Sequence, residues 1–471
     1  MLSVDVAIVG AGYTGTALAI ELTGRLPPGS RIALIGPSES FGRGIAYGTA
    51  DPDHRLNVPA CRMSLFADEP DDFVRWLALE PQMRDRPAEE LRTAFASRPD
   101  YGRYLADRLA EAERRAAGRV ALVRVEDRAI EIAAGGRRGY RLELAATAPV
   151  RAARLALCLG NAPCGLPVAP AAVDRAVRDR IVLDPWADGA MAGVSPDEDV
   201  LFVGTGLTMI DHVLTLARRG HRGRILAVSR RGLVPTGHSA PRPPAVDPHV
   251  PTAADLRALV RAVRARAAAV VAAGGDWQAV VDGLRPVTQA IWDGFDPIDR
   301  RRFLRHVAPY WGVLRHRMAP EVAARIARLR ADGGLEVVAG RLLGLDAADG
   351  RIAARLRRRG RATAEIRTVD RVVNCAGLDR AAVAACDPLV GSLVTAGLAR
   401  PDPLGLGLDV DAASRLVHRD GTSTAAYALG PLTVGRFWEI VAVPDIRVQC
   451  HDVAAAIAAE LVARPAEAAA G

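Results

Sequence analysis

At 471 residues, half of them hydrophobic and a quarter charged, the chain is long enough for two or three domains with sizeable cores. No apolar run reaches the length of a membrane span, and the first strand begins within three residues, which leaves no room for a leader and points to the cytoplasm. The net charge of +8 carries no lysine at all; its arginines are spread along the chain, which argues against a concentrated nucleic-acid surface.

In chain order, Val4–Val9 reads as a buried parallel strand, because it is apolar apart from Asp5. The turn Gly10-Ala-Gly12-Tyr-Thr-Gly15 follows and opens a helix from Thr14 to Leu22. Pro27-Pro-Gly-Ser30 breaks the chain, and Arg31–Ile35 supplies a second strand. Together they make a strand–turn–helix–strand unit of about thirty residues, the context that gives such a glycine motif meaning. Gly10 permits the tight bend, Gly12 lets the backbone approach a pyrophosphate, and Gly15 lets the helix pack against the strand. Tyr13 and Thr14 start the helix, whose free N–H groups would face the anion. An acid often ends the second strand to hold the ribose; here Gly36 stands there, with Glu39 just beyond.

Helices are expected within 68–115, then strand-like pieces ending in Arg154–Gly160. A second unit follows a Pro/Ala-rich linker: strand Val200–Val203, turn Gly204-Thr-Gly206, helix from Leu207 to about Arg219, and strand Arg224–Ser229. Arg230 and Arg231 take the place of an acid after that strand. Two guanidiniums there would pair with a 2′-phosphate and favour NADPH, although they could equally be solvated. A Pro-rich loop and a helical stretch precede strands near Leu335–Val338 and Ile352–Leu356. Arg371–Gly377 and Ala425–Gly430 read as the closing strands, before an alanine-rich helix.

None of the six cysteines forms a Cys-x-x-Cys pair or a metal-ligand spacing, so a dithiol redox centre and a metal site are not expected. Two nucleotide-binding turns in one chain instead suggest electron transfer from a nicotinamide to a flavin. The expected architecture is α/β, with two dinucleotide-binding (Rossmann-like) domains, one for FAD and one for NADPH, and a helical insert. Residues 1–165 would form the first part of the FAD domain and 371–471 its return segment. Residues 195–235 and 334–370 would form the NADPH domain, and 236–333 a helical cap for substrate.

Phe41–Thr49, His54–Ala60, Met63-Ser64, Arg302–His306, Tyr310-Trp311, Arg315–Pro320 and Phe437–Arg447 resemble the FAD/NAD(P)-binding oxidoreductases related to YdhS, over nearly the whole chain. Met63–Asp68, Phe73-x-x-Trp-Leu77 and Tyr101-x-x-Tyr-Leu105 are more distantly similar to the N-hydroxylating flavin monooxygenases. In those enzymes the matching segment runs beside the flavin ring, and Asn374–Gly377 resembles their Ala-Thr-Gly signature. Their usual proline after the first glycine pair is Tyr13 here, and the Baeyer–Villiger fingerprint is absent.

The resemblance implies an FAD-dependent, NADPH-consuming monooxygenase that hydroxylates a small amine or amino acid with O2, through a C4a-hydroperoxyflavin. Some relatives oxidise the α-amine of L-aspartate towards nitrosuccinate. A reductase without oxygen insertion uses the same two nucleotides and stays open as an alternative. The implied FAD contacts are the first turn with Glu39, Arg43, Asn57, Met63, Gly377, Gly430 and Pro431; Gly204, Gly206, Arg230 and Arg231 would hold NADPH. Arg302, Arg305, His306, Arg315, His316, Arg317 and Trp438 are candidates for substrate, the cations suiting carboxylates. They could also be solvated or bind NADPH phosphates. No nucleic-acid or membrane partner is expected, and a homo-oligomer is compatible with the chain.

Overall fold

The computed structural model describes residues 1–135, 139–161, 165–250, 255–377 and 387–468. The chain divides into two units, the first comprising Met1–Ala50, Val58–Ala162 and Arg380–Gly471, the second Asp51–Asn57 and Pro163–Asp379.

The first unit begins with β1 (Leu2–Val9), β2 (Arg31–Gly36), β3 (Ala121–Glu126), β4 (Ala129–Ala134), β5 (Tyr140–Leu144) and β6 (Val150–Leu157). In the second unit run β7 (Ile181–Val182), β8 (Val200–Val203), β9 (Ile225–Ser229), β10 (Leu335–Ala348), β11 (Arg351–Arg358), β12 (Glu365–Val369) and β13 (Arg371–Asn374). The chain then returns with β14 (Arg415–Val417) and β15 (Ser423–Ala428).

The first sheet has the order β14-β15-β6-β1-β2-β3, and β5 adds β4 beside β6. Its central strands β15, β6, β1, β2 and β3 are all parallel. Val6, Ala7 and Ile8 lie fully buried in β1, as an apolar strand covered on both faces requires. The helix Tyr13–Arg25 stops at Leu26, which is extended because Pro27 follows it. It packs against the helices Arg98–Ala116 and Val443–Ala468. The latter buries Ile446, Cys450, Val453, Ala454 and Ile457, one face at helical spacing.

The second sheet has the order β12-β11-β10-β9-β8-β13-β7, parallel from β10 to β7 and antiparallel across β10, β11 and β12. Both sheets therefore centre on the strand that leads into a glycine turn, flanked by a strand on either side. The α/β class and paired dinucleotide-binding construction expected from the sequence are present. Between β9 and β10 lie helices from Leu256–Ala272 to Pro320–Ala331, so the expected helical stretch is there.

Two segments fall differently from the sequence reading. Residues 371–377 were expected to open the return segment of the first unit, yet Arg371–Asn374 pairs in parallel with Val200–Val203 and lies in the second. Its Val372 and Val373 are fully buried there. Asp51–Asn57, expected within the first unit, also belongs to the second. Side-chain chemistry holds it: Asp51 accepts from Thr215 at 2.7 Å and Arg218 at 3.0 Å, and Asp53 pairs with Arg325 at 3.0 Å. Burial raises the Asp51 carboxyl, but the hydrogen bonds from Thr215, the Asp53 amide and Arg218 outweigh it and keep it below its ordinary value.

Candidate functional site

In the first unit, Gly10 adopts a φ of 106°, a conformation that favours glycine, and its amide donates to Ile35 at 2.8 Å. A Cβ on it would stand 2.3 Å from the Cys158 carbonyl oxygen. A Cβ on Gly15 would meet the Gly10 carbonyl oxygen at 1.8 Å, so only glycine lets the helix sit this close to the strand. Gly12 is the helix N-cap and has no side-chain cap, leaving the first-turn amides at Tyr13, Thr14 and Gly15 as candidate anion donors. Gly12 and Gly44 approach back to back: a Cβ on Gly44 would lie 2.8 Å from the Gly12 Cα. The sequence reading missed Gly44, whose only signal was its place in a glycine-rich stretch.

The second unit repeats the bend at the first glycine, with Met209 standing where the third glycine would fall. Gly204 has a φ of 116°, its amide donates to Val228 at 2.8 Å, and a Cβ would lie 1.8 Å from the Cys375 carbonyl oxygen. Cys158 and Cys375 donate in the same way to Val9 and Val203, each at 2.7 Å. Gly206 caps the helix Leu207–Arg218, again without a side-chain cap. A Cβ on Gly206 would meet nothing within 4 Å. Its lack of a side chain therefore answers no need of the fold and leaves open the approach to the helix amides. Both turns fit the pyrophosphate of a dinucleotide.

The other residues expected at FAD distribute over both units. Met63 is buried, whereas Glu39 and Arg43 are exposed. Gly430 has a φ of 70° and begins a short 3-10 turn that also holds Pro431. The Gly430 amide donates to Gln449 Oε1 at 2.8 Å, and Gln449 Nε2 reaches Ser414 Oγ and Thr433 Oγ1. Gln449 is buried on the last helix and carries no signal in the sequence, where Arg447, His451 and Asp452 are its polar neighbours. Asn57 and Gly377 both belong to the second unit. The Asn57 carbonyl oxygen is 3.0 Å from His238 Nε2, and Gly377 follows β13 with a φ of 78°.

Tyr13, which replaces the relatives' proline, is buried and donates to the Val443 carbonyl at 3.3 Å. Its ring lies 6.4 Å from both Tyr47 and Tyr101, and burial pushes the Tyr47 hydroxyl up to about 12. Trp438 is buried in the first unit. Cys158, Cys375 and Cys450 are buried, and burial drives each thiol well above its ordinary value, so these three are poor nucleophiles at neutral pH. Cys61 is half-buried; Cys164 and Cys386 lie outside the described residues.

The members of the arginine–histidine set differ in burial and partners. Arg302 pairs with Asp299 at 3.0 Å, while Arg305 and His306 are exposed on the π-helical turn Phe303–Val307. Pro309 explains part of that turn, since it has no N–H for the Arg305 carbonyl four residues back. Arg231 donates to that carbonyl at 2.9 Å and lies over the Tyr310 ring at 5.4 Å. Of the two guanidiniums expected at a 2′-phosphate, Arg231 is thus engaged with the helical stretch, and Arg230 is exposed. Arg315 and His316 are half-buried. Arg317 is 1% exposed, 3.2 Å from Asp282, and stacked over Trp277 at 5.5 Å.

No curated protein matches this chain in sequence. Residues 7–162 match a family described as FAD-NAD(P)-binding. Among solved structures, the chain is similar to the ornithine N-hydroxylase of Kutzneria sp. 744, with a TM-score of 0.68 and 16% identity, covering 98% of this chain and 100% of that one. The ornithine hydroxylase of Pseudomonas aeruginosa gives 0.65 at 15% identity, over 98% and 100%. The FAD-bound cadaverine monooxygenase of Erwinia amylovora gives 0.64 at 13%, over 97% and 94%. At these identities the likeness establishes a shared fold along nearly the entire chain, and residues 7–162 are similar to an FAD-NAD(P)-binding family.

Proposed function

We propose that this protein is an FAD- and NADPH-dependent monooxygenase that hydroxylates the nitrogen of a small amine or amino acid. The observation that carries the reading is the repeated glycine construction at Gly10 and Gly204, within a chain that shares its fold end to end with amine hydroxylases. Bound FAD would supply the redox chemistry and the activation of O2.

The chain's own part is binding and positioning. Gly10, Gly12 and Gly15 let the helix Tyr13–Arg25 present its first-turn amides to the FAD pyrophosphate. Gly204 and Gly206 do the same for NADPH at the helix Leu207–Arg218, and Arg230 supplies a cation for the 2′-phosphate. Met63 and the Gly430–Pro431 turn, held by Gln449, are the remaining FAD contacts proposed within the first unit. For the acceptor we propose the α-amine of L-aspartate, oxidised towards nitrosuccinate. The support for it is the distant resemblance of Met63–Asp68, Phe73–Leu77 and Tyr101–Leu105 to N-hydroxylating enzymes, some of which oxidise that amine, together with a supply of guanidiniums suited to carboxylates.

The test is to incubate the purified, FAD-loaded protein with NADPH, O2 and a panel of amines and amino acids. An amine-dependent hydroxylamine, nitroso or nitrite product supports the reading. NADPH consumption without any such product overturns it in favour of a reductase.

A further inference from the structure

Arg317 is surrounded by less negative charge than a buried guanidinium requires. Its Nε donates to the Leu314 carbonyl at 2.8 Å. Nη1 lies 3.2 Å from Asp282 Oδ1, outside hydrogen-bond geometry, and Nη2 has no hydrogen-bond partner among the described residues. Asp282 is moreover shared, because Arg242 holds its Oδ2 through Nη2 at 2.6 Å and Nε at 3.2 Å. One carboxylate therefore serves two guanidiniums, with Arg315 close enough to act on Arg317 as a like charge. A buried cation with idle donors costs stability unless something else satisfies it.

The backbone fixes this grouping. Gly237 and Met318 pair as an isolated parallel bridge, Met318 donating to the Thr236 carbonyl at 2.7 Å and His238 to the Met318 carbonyl at 2.9 Å. Gln278 ties the same loop down through the Gly237 carbonyl at 2.9 Å and the Ser239 amide at 3.2 Å. Trp277 supports the Arg317 guanidinium from one face. Arg242, 24% exposed, makes the group reachable from solvent.

We propose that Arg242 and Arg317 form a clamp for the carboxylate of a small acidic ligand, with Asp282 holding the two guanidiniums in place. Beyond the bonds to Asp282 and Leu314, Arg242 keeps its Nη1 and Arg317 its Nη2, charged N–H donors of the kind a carboxylate accepts. His238 contributes a neutral neighbour, its Nε2 donating to the Asn57 carbonyl at 3.0 Å. The identity of the acid as substrate rests on the hydroxylase reading above; the clamp itself does not. It assigns carboxylate recognition to Arg242 and Arg317, and not to the exposed Arg305 and His306.

The test is calorimetry on the full-length, FAD-loaded protein with succinate, L-aspartate, cadaverine and NADP+ as probes. The wild type should bind succinate and L-aspartate and ignore cadaverine, which has no carboxylate. Arg242→Gln should weaken both acids by about ten- to hundredfold, the worth of a charged hydrogen-bonded contact, and leave NADP+ unchanged. Arg317→Lys should act in the same direction, but its site is buried, so the more exposed Arg242→Gln decides if the lysine variant does not fold. Acids that fail to bind, or that bind wild type and Arg242→Gln alike, would overturn the clamp. So would a loss confined to NADP+, which would make the pair a phosphate site. Binding needs no turnover: a protein that bound acids but hydroxylated no amine would keep the clamp and lose the hydroxylase reading.

Discussion

The two glycines of the second turn should respond oppositely to the same added methyl group. In Gly204→Ala the Cβ would stand 1.8 Å from the Cys375 carbonyl oxygen, on a residue whose φ is 116°. Left-handed backbone costs an L-residue about 1–2 kcal/mol and forced overpacking about 1–3 kcal/mol, so a loss of about 3 kcal/mol is expected. In Gly206→Ala the new Cβ meets nothing within 4 Å and φ is an ordinary −82°. Alanine is a poorer N-cap than glycine but also restricts the unfolded chain; the two effects nearly offset, within about 1 kcal/mol. The methyl would instead occupy the space a pyrophosphate needs to reach the amides of the helix Leu207–Arg218. Loss of one charge-assisted hydrogen bond is worth about 1.5–3 kcal/mol, so NADP+ affinity should fall at least about tenfold. Urea denaturation and an NADP+ titration on both variants measure the two quantities. Unchanged NADP+ binding by Gly206→Ala would refute the placement of phosphates at this turn. Wild-type stability in Gly204→Ala would refute the steric argument itself.

Four further outcomes follow from single residues. His238 should make the fold acid-sensitive: burial, aided by Arg317 and Arg242, lowers its pKa to about 4 against the pull of the Asn57 carbonyl. The unfolded chain binds this proton below its ordinary pKa of about 6.5 and the folded one does not. Stability should thus fall by up to about 3 kcal/mol from pH 6.5 to 4, and His238→Gln should flatten that slope in denaturation curves. Arg230→Ala should cut the preference for NADPH over NADH by about tenfold or more, as expected for loss of a guanidinium–phosphate pair. Arg231→Ala, which removes a contact to the Arg305 carbonyl, should lower the melting temperature more than it alters that preference. Gln449→Leu leaves the buried Gly430 amide without its acceptor, a loss of about 1–3 kcal/mol that urea denaturation would read, and it should speed FAD release.

How far the sequence foretold this molecule depended on how local the information was. Val4–Val9 and Val200–Val203 announce their strands by unbroken apolar character, and the glycines that follow mark sharp turns whatever their surroundings. Gly10 and Gly204 needed only the rule that a tight bend favours glycine, and Gly15 the rule that a helix cannot lie this close to a strand with a Cβ between them. Residues 371–377 were harder, because an apolar strand does not state which sheet it joins; pairing with Val200–Val203 decides that. The segment Asp51–Asn57 follows the second unit through Asp51, Thr215 and Arg218, partners more than 160 residues apart. The arginine-rich stretch misled for a similar reason. Arg302, Arg305 and Arg317 are close in sequence, yet Arg302 pairs with Asp299, Arg305 is exposed, and Arg317 is buried beside Asp282. Arg242, the other guanidinium on that acid, sits in a Pro-rich loop with no periodicity to flag it.

Most at stake is whether NADPH reduces O2 so that one oxygen atom joins an amine nitrogen and the other leaves as water. Turnover of the FAD-loaded protein under 18O2, with L-aspartate and a panel of small amines, tests it by mass spectrometry of the product. The account expects NADPH oxidation stimulated by one of these acceptors, with label from O2 appearing on its nitrogen. NADPH oxidation that no acceptor stimulates, with all the oxygen recovered as hydrogen peroxide, would contradict it.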